Sequence, residues 1–186
     1  MKNNNPLINT LSNKDILISK KDFEYNYQVE LTKKLDEFVG DFTQAILNEV
    51  VLWKVNRYAI FSDEIISDLN NIKNQDINIK DAVIRDILKK LLLTKGVQLP
   101  MASTILRFIN PNIFQIIDQR VYRLIYGHRL KTPPVTSKNV SEIIDLYIEY
   151  LKILREVCIL KDVPFSKSDR VFYNLDRRIN SKIKIH

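Results

Sequence analysis

A chain of 186 residues, 45% of them hydrophobic, is long enough to bury a core without disulfide or metal staples. Only 3 glycines and 6 prolines leave little turn punctuation, which disfavours many-stranded β architectures and favours long helices with short connections, an all-α reading. Lysine and arginine exceed aspartate and glutamate by 29 to 22, a net charge of +7, so a polyanion such as nucleic acid is a candidate partner that charge alone does not single out.

In chain order, residues 1–21 are rich in Asn, Lys and Ser and read as a loosely tethered arm, ahead of a single helical domain over 22–186. Apolar spacing predicts a first helix from Phe23 to about Val39 and a stronger one from Phe42 to Tyr58. In the second, Phe42, Ile46, Val50, Trp53 and Arg57 recur at steps of three or four, the period of one helical face, and this helix is expected to be central. Ser62-Asp63-Glu64 has the composition of a helix start, with Ser62 as the N-cap of a short helix ending near Asn70 and Asn71. Lys80 to Thr94 is the best-patterned segment, through Val83, Ile84, Ile87, Leu88, Leu91 and Leu92.

It runs into Lys95-Gly96-Val97-Gln98, and Leu99 to Ile109 forms the second arm of a hairpin that Asn110-Pro111 stops. Ile113 to Ile117 reads as an extended connector, Gln119 to Tyr126 as the helix after an aspartate, and Gly127 as its C-cap. Thr132-Pro133-Pro134 marks a rigid loop, Ser141 to Leu160 a long helix, and Ser166 to Ile183 a final basic one. Repeats and low-complexity tracts are absent. Cys158 stands alone, so an internal disulfide and a cysteine-ligated zinc or iron–sulfur site are excluded, and its apolar neighbours put it in the core. His128 and His186 are too isolated for a metal set, and no cofactor is expected. Without a signal-peptide core or an apolar run of roughly 18 residues, the expectation is a soluble cytoplasmic protein with no membrane partner.

The chemistry-bearing stretch runs from Lys95 to Arg123. A glycine hairpin between two helices aims backbone N–H groups and a helix N-terminus at one point, an arrangement that suits a DNA phosphate. Gly96 gives the turn its conformational freedom, Ala102 and Ser103 are small enough to let the two helices approach, and Lys95 and Arg107 can add phosphate contacts. Beyond the hairpin Asp118 stands at the mouth of the next helix.

Gly96-Val97-Gln98 with Ala102, followed by Ile117-Asp118-Gln119-Arg120-Val121-Tyr122-Arg123, resembles the helix-hairpin-helix base-excision DNA glycosylases over about residues 84 to 127. That family carries a Leu-x-Gly-Val-Gly-x-x-x-Ala hairpin and then an aspartate in a Val-Asp-Thr-His-Val-x-Arg-like segment. The resemblance implies a hairpin over 84–109, an aspartate segment over 113–127 and a helical bundle, with two small lobes and a cleft as one arrangement. It implies Asp118 as the catalytic carboxylate and double-stranded DNA as the partner. Contacts to DNA would come from Lys95, Gly96, Val97, Gln98, Ser103, Arg107, Arg120 and Arg123.

Two departures shape the implied activity. Gln98 replaces the second hairpin glycine, which alters the turn, and Pro100 stands where the bifunctional members carry their Schiff-base lysine. With neither that lysine nor the iron–sulfur cysteines, the implied activity is monofunctional hydrolysis of an N-glycosidic bond. A carboxylate there stabilises the developing oxocarbenium and orients or deprotonates the attacking water, after the target nucleotide has left the stack. Trp53, Asn56 and Arg57 are the candidate base pocket, by stacking and polar contact.

Plainer roles stand beside these. Asp118 suits a helix N-cap, Trp53 a core position, and Asn56 and Arg57 an interhelical tie. Tyr122, Tyr126, Tyr147 and Tyr150 fall at helical spacing and read as packing residues, and the basic run from Asp169 to Lys184 is a solvated face or a strip for a DNA backbone. A non-catalytic helix-hairpin-helix DNA-binding protein and a helical interaction protein are the alternatives, and oligomeric state is left open.

Overall fold

The structure is a computed structural model that describes residues 27–55 and 58–183, and it is all-helical there, with eight α-helices. The expected arm over 1–21, and Asn56 and Arg57, lie outside the described residues. The chain divides into two compact units, Met1–Tyr58 and Ala59–His186.

The first unit holds α1 (Val29–Asp36) and α2 (Gln44–Lys54). Trp53 ties them together: its indole Nε1 donates to Thr32 Oγ1 at 2.8 Å, and its ring meets Tyr27 edge to face at 5.3 Å. Gln28 Nε2 donates to the Trp53 carbonyl at 2.7 Å, and Leu31 is the buried residue of α1. The expectation that α2 is central is wrong, because none of its residues is buried and Val50, Val51 and Leu52 are exposed. Step-three-and-four spacing identifies a helix, but Leu47, Val51 and Leu52 make this one apolar on several faces, so the pattern does not say which face packs.

The second unit carries α3 (Asp63–Asn71), α4 (Ala82–Leu93), α5 (Leu99–Ile109), α6 (Gln119–Tyr126), α7 (Val140–Leu160) and α8 (Ser168–Ile179), with a 3-10 turn at Phe165–Lys167. Its core is organised by α7, where Val140, Ile143, Ile144, Tyr147, Leu151, Leu154 and Cys158 recur on one face and are all buried. The same spacing turns Ile84, Ile87, Leu88, Leu91 and Leu92 of α4 inward. Each such side chain contributes roughly 1.5–3 kcal/mol by leaving water.

Local signals set the helix ends. Ser62 Oγ accepts from the Ile65 amide as the N-cap of α3, and Gly127 ends α6 with φ +73°, a left-handed conformation that favours glycine. Asn110, buried at the end of α5, donates through Nδ2 to the carbonyls of Ile72 and Gln75, so the residue that stops one helix also satisfies the segment after another. The connector departs from its extended reading at its start: Ile113 lies in a turn, with its amide and that of Phe114 donating to the Asn110 carbonyl.

Candidate active site

The hairpin forms as α4, a turn over residues 94–98, and α5. Gly96 adopts φ +86°, a left-handed conformation that favours glycine, and Ala102 and Ser103 are fully buried. Ser103 does more than fit: its hydroxyl donates to the Pro100 carbonyl at 2.9 Å and accepts from the Ile117 amide at 3.2 Å. The hairpin thereby holds the connector one residue before Asp118.

α7 holds the same connector from another side. The Tyr147 hydroxyl donates to the Gln115 carbonyl at 2.9 Å, and the Tyr150 hydroxyl to the Ile116 carbonyl at 2.8 Å. Burial pushes both phenols well above their ordinary pKa, so they stay neutral donors. The packing role expected for these tyrosines holds, with the added duty of satisfying backbone that no helix or sheet serves.

Asp118 is the N-cap of α6. Its Oδ1 accepts from the amides of Arg120 and Val121, each at 2.8 Å. Both bonds end on one oxygen, and the residue also walls a cavity of about 420 Å³ with Phe108, Ile116, Asp169, Tyr173 and Asn174. That volume lies in the roughly 300–1,000 Å³ range of small-ligand clefts. Burial raises the Asp118 pKa above the ordinary carboxylate value, against the two amide donors and the Arg120 charge that lower it. A carboxylate so perturbed is a stronger base than an exposed one.

Of the arginines expected at DNA, Arg107 is buried and Arg120 and Arg123 are half-buried, and all three are paired with carboxylates of the chain itself. Arg107 and Asp169 form a nearly buried ion pair at 3.0 Å, Nε to Oδ2, and Arg107 Nη2 reaches the Ser166 carbonyl. Arg123 clasps Asp176 with Nε and Nη2 at 2.8 and 2.7 Å, and Arg120 Nη1 joins at 3.1 Å. Asp176 is fully buried, and these guanidiniums hold its pKa down to about 2. Arg120 also lies 5.5 Å from the Tyr173 ring centroid, so one side chain links the buried carboxylate to the cavity wall.

Lys95, Gly96 and Gln98 are exposed at the turn, whereas Val97 is fully buried and its amide donates to the Thr94 carbonyl at 3.0 Å, so the DNA contact expected of it is not available. Gln98, in place of the family's second glycine, accepts from the Val135 amide through Oε1 at 3.3 Å and leaves α5 without a side-chain cap. Pro100 in the first turn of α5 removes a backbone donor from the helix terminus that would face a phosphate. Trp53 belongs to the first unit, where its ring and indole N–H are engaged by Tyr27 and Thr32.

Sequence reasoning missed the cavity's other wall, Phe108, Tyr173 and Asn174. One signal was available: Asp169 and Asp176 fall seven apart in a basic helix, and seven residues is nearly two turns, which puts both acids on one face. Among the described residues no group of three or more His, Cys, Asp or Glu is placed to hold a metal, and no helix is long and apolar enough to cross a membrane. No protein-family model matches the chain, and no curated protein or solved structure matches it.

Proposed function

We infer that this chain is a monofunctional DNA glycosylase of the helix-hairpin-helix type, hydrolysing the N-glycosidic bond of a modified or mispaired base flipped out of duplex DNA. The observation that carries the reading is Asp118 on the wall of a cavity of about 420 Å³, with its pKa raised by burial. In that position a carboxylate faces the two demands of the reaction, stabilising positive charge on the sugar and activating water. Phe108 and Tyr173 offer aromatic surface to a base, Asn174 offers a donor and an acceptor, and the hairpin turn at Lys95 and Gly96 docks the duplex. The expected base pocket moves accordingly from Trp53 to α8. Among the described residues no lysine lines the cavity, and Pro100 has no amine, which favours hydrolysis without strand cleavage.

The test is base release from a panel of duplexes carrying uracil, oxidised purines and alkylated purines. Wild-type protein leaves abasic sites in at least one substrate. Asp118→Asn, which keeps a side-chain acceptor for the α6 cap, lowers release by about 10²- to 10⁴-fold while binding persists. No abasic product from any substrate refutes the reading.

A second reading, a DNA-binding protein without chemistry, is favoured by the capping bonds of Asp118, which give the residue a complete structural purpose. Salt-dependent duplex binding with no base release from the whole panel selects it.

A further inference from the structure

Helix α8 and its flanks, residues 165–183, carry seven charged side chains, and they are sorted by sign. Both acids, Asp169 and Asp176, are buried and pair with arginines of α5 and α6. All five cations, Lys167, Arg170, Arg177, Arg178 and Lys182, are exposed, and no ion pair involves them among the described residues. A helix laced by surface salt bridges mixes signs on its exposed face. Here every exposed charge is positive because the neighbouring helices have taken the carboxylates.

Position joins this face to the candidate site. Arg170, Tyr173 and Asn174 line the Asp118 cavity. Arg177 lies four residues beyond Tyr173 and three beyond Asn174, so it continues the same stripe one turn further on. Arg170 and Arg177 are thus separated by about 10 Å along the helix axis, the axial rise of about three nucleotides of one B-DNA strand.

We propose that Arg170 and Arg177 form a phosphate clamp on α8, binding the DNA backbone on either side of the nucleotide whose base enters the Asp118 cavity, with Arg178 on its flank. The clamp supplies cations outside the ion pairs that engage Arg107, Arg120 and Arg123 with the buried Asp169 and Asp176. It rests on the DNA partner of the proposed function and not on its chemistry.

The experiment is fluorescence anisotropy with a labelled 20-base-pair duplex, and with single-stranded RNA of one strand's sequence, across a series of salt concentrations. Neutralising two phosphate contacts in Arg170→Gln/Arg177→Gln lowers the slope of log affinity against log salt by about 2 on duplex DNA. Arg170→Lys/Arg177→Lys retains the wild-type slope, because Lys is also a phosphate binder, as a point charge. Lys89→Gln/Lys161→Gln, an equal charge change at two other exposed positions of the second unit, leaves it unchanged. Circular dichroism melting of each variant confirms that the helices survive.

An unchanged slope in the glutamine pair overturns the clamp. So does an equal loss in the Lys89/Lys161 control, a loss seen only with RNA, or a wild-type protein that binds no duplex. Base release is scored separately: a clamped duplex with no base released removes the glycosylase reading alone, and base release with an unchanged slope removes the clamp alone.

Discussion

Replacing Asp176 by asparagine tests how the second unit holds α6 in place. The carboxylate is fully buried and receives four donors on two oxygens, from Arg123 Nε and Nη2, Arg120 Nη1 and Asn180 Nδ2. Asparagine keeps the shape but removes the charge and turns an N–H₂ group toward two guanidiniums. Breaking a buried pair from one side costs about 3–5 kcal/mol because the remaining charge stays desolvated. Arg120 is 28% exposed and Arg123 retains the Ile183 carbonyl, so about 3 kcal/mol is expected, a fall in Tm of about 6–12 °C.

Urea unfolding at pH 7 measures this as a lower midpoint at constant m. The pH dependence gives a second readout. A folded pKa of about 2 against an ordinary value near 4 contributes about 2–3 kcal/mol that is fully present above pH 4 and lost as pH falls toward 2. The variant lacks that part of the acid slope. A stability loss below about 1 kcal/mol, with the acid slope unchanged, would refute the assignment of Asp176 as the anchor of α6.

Four further outcomes follow from the same geometry. Asp118→Ala removes the N-cap of α6 and lowers stability by about 1 kcal/mol, while Asp118→Asn stays close to wild type in urea. In the glycosylase reading, base release requires the Asp118 carboxylate, so a pH–rate profile declines as pH falls through a pKa above the ordinary aspartate range. Tyr147→Phe leaves the Gln115 carbonyl without its donor and costs about 1–3 kcal/mol by urea titration. Gly127→Ala meets no atom within 4 Å, so calorimetry reads only the left-handed backbone penalty of about 1–2 kcal/mol.

The parts of this fold that were legible in sequence are those set by neighbouring residues. The bounds of α5 and α6 follow from Asn110-Pro111, Asp118 and Gly127, whose caps and stops act within about four positions. The unusually regular apolar spacing of α4 and α7 likewise encodes which face is buried. What sequence did not yield depends on distant partners. Arg120 and Arg123 read as DNA contacts until Asp176 arrives from more than 50 residues away. Gln98 reads as a damaged glycine until Val135 occupies it, and α2 reads as central because its periodicity carries no record of a partner. The candidate site is therefore half legible: the aspartate from its local cap signal, the opposite wall only from the folded chain.

The connector before Asp118 also fixes an order of events during synthesis. Its backbone is held by tyrosines 32 and 34 positions later, and α6 by a carboxylate 53 and 56 positions later. When the aspartate segment is synthesised, none of these partners has yet been made. The hairpin can close early, since Ser103 and Ile117 are near in sequence. Asp118 acquires its final surroundings only after α8 has emerged, so a chain interrupted anywhere between α6 and α8 carries the hairpin but no finished site.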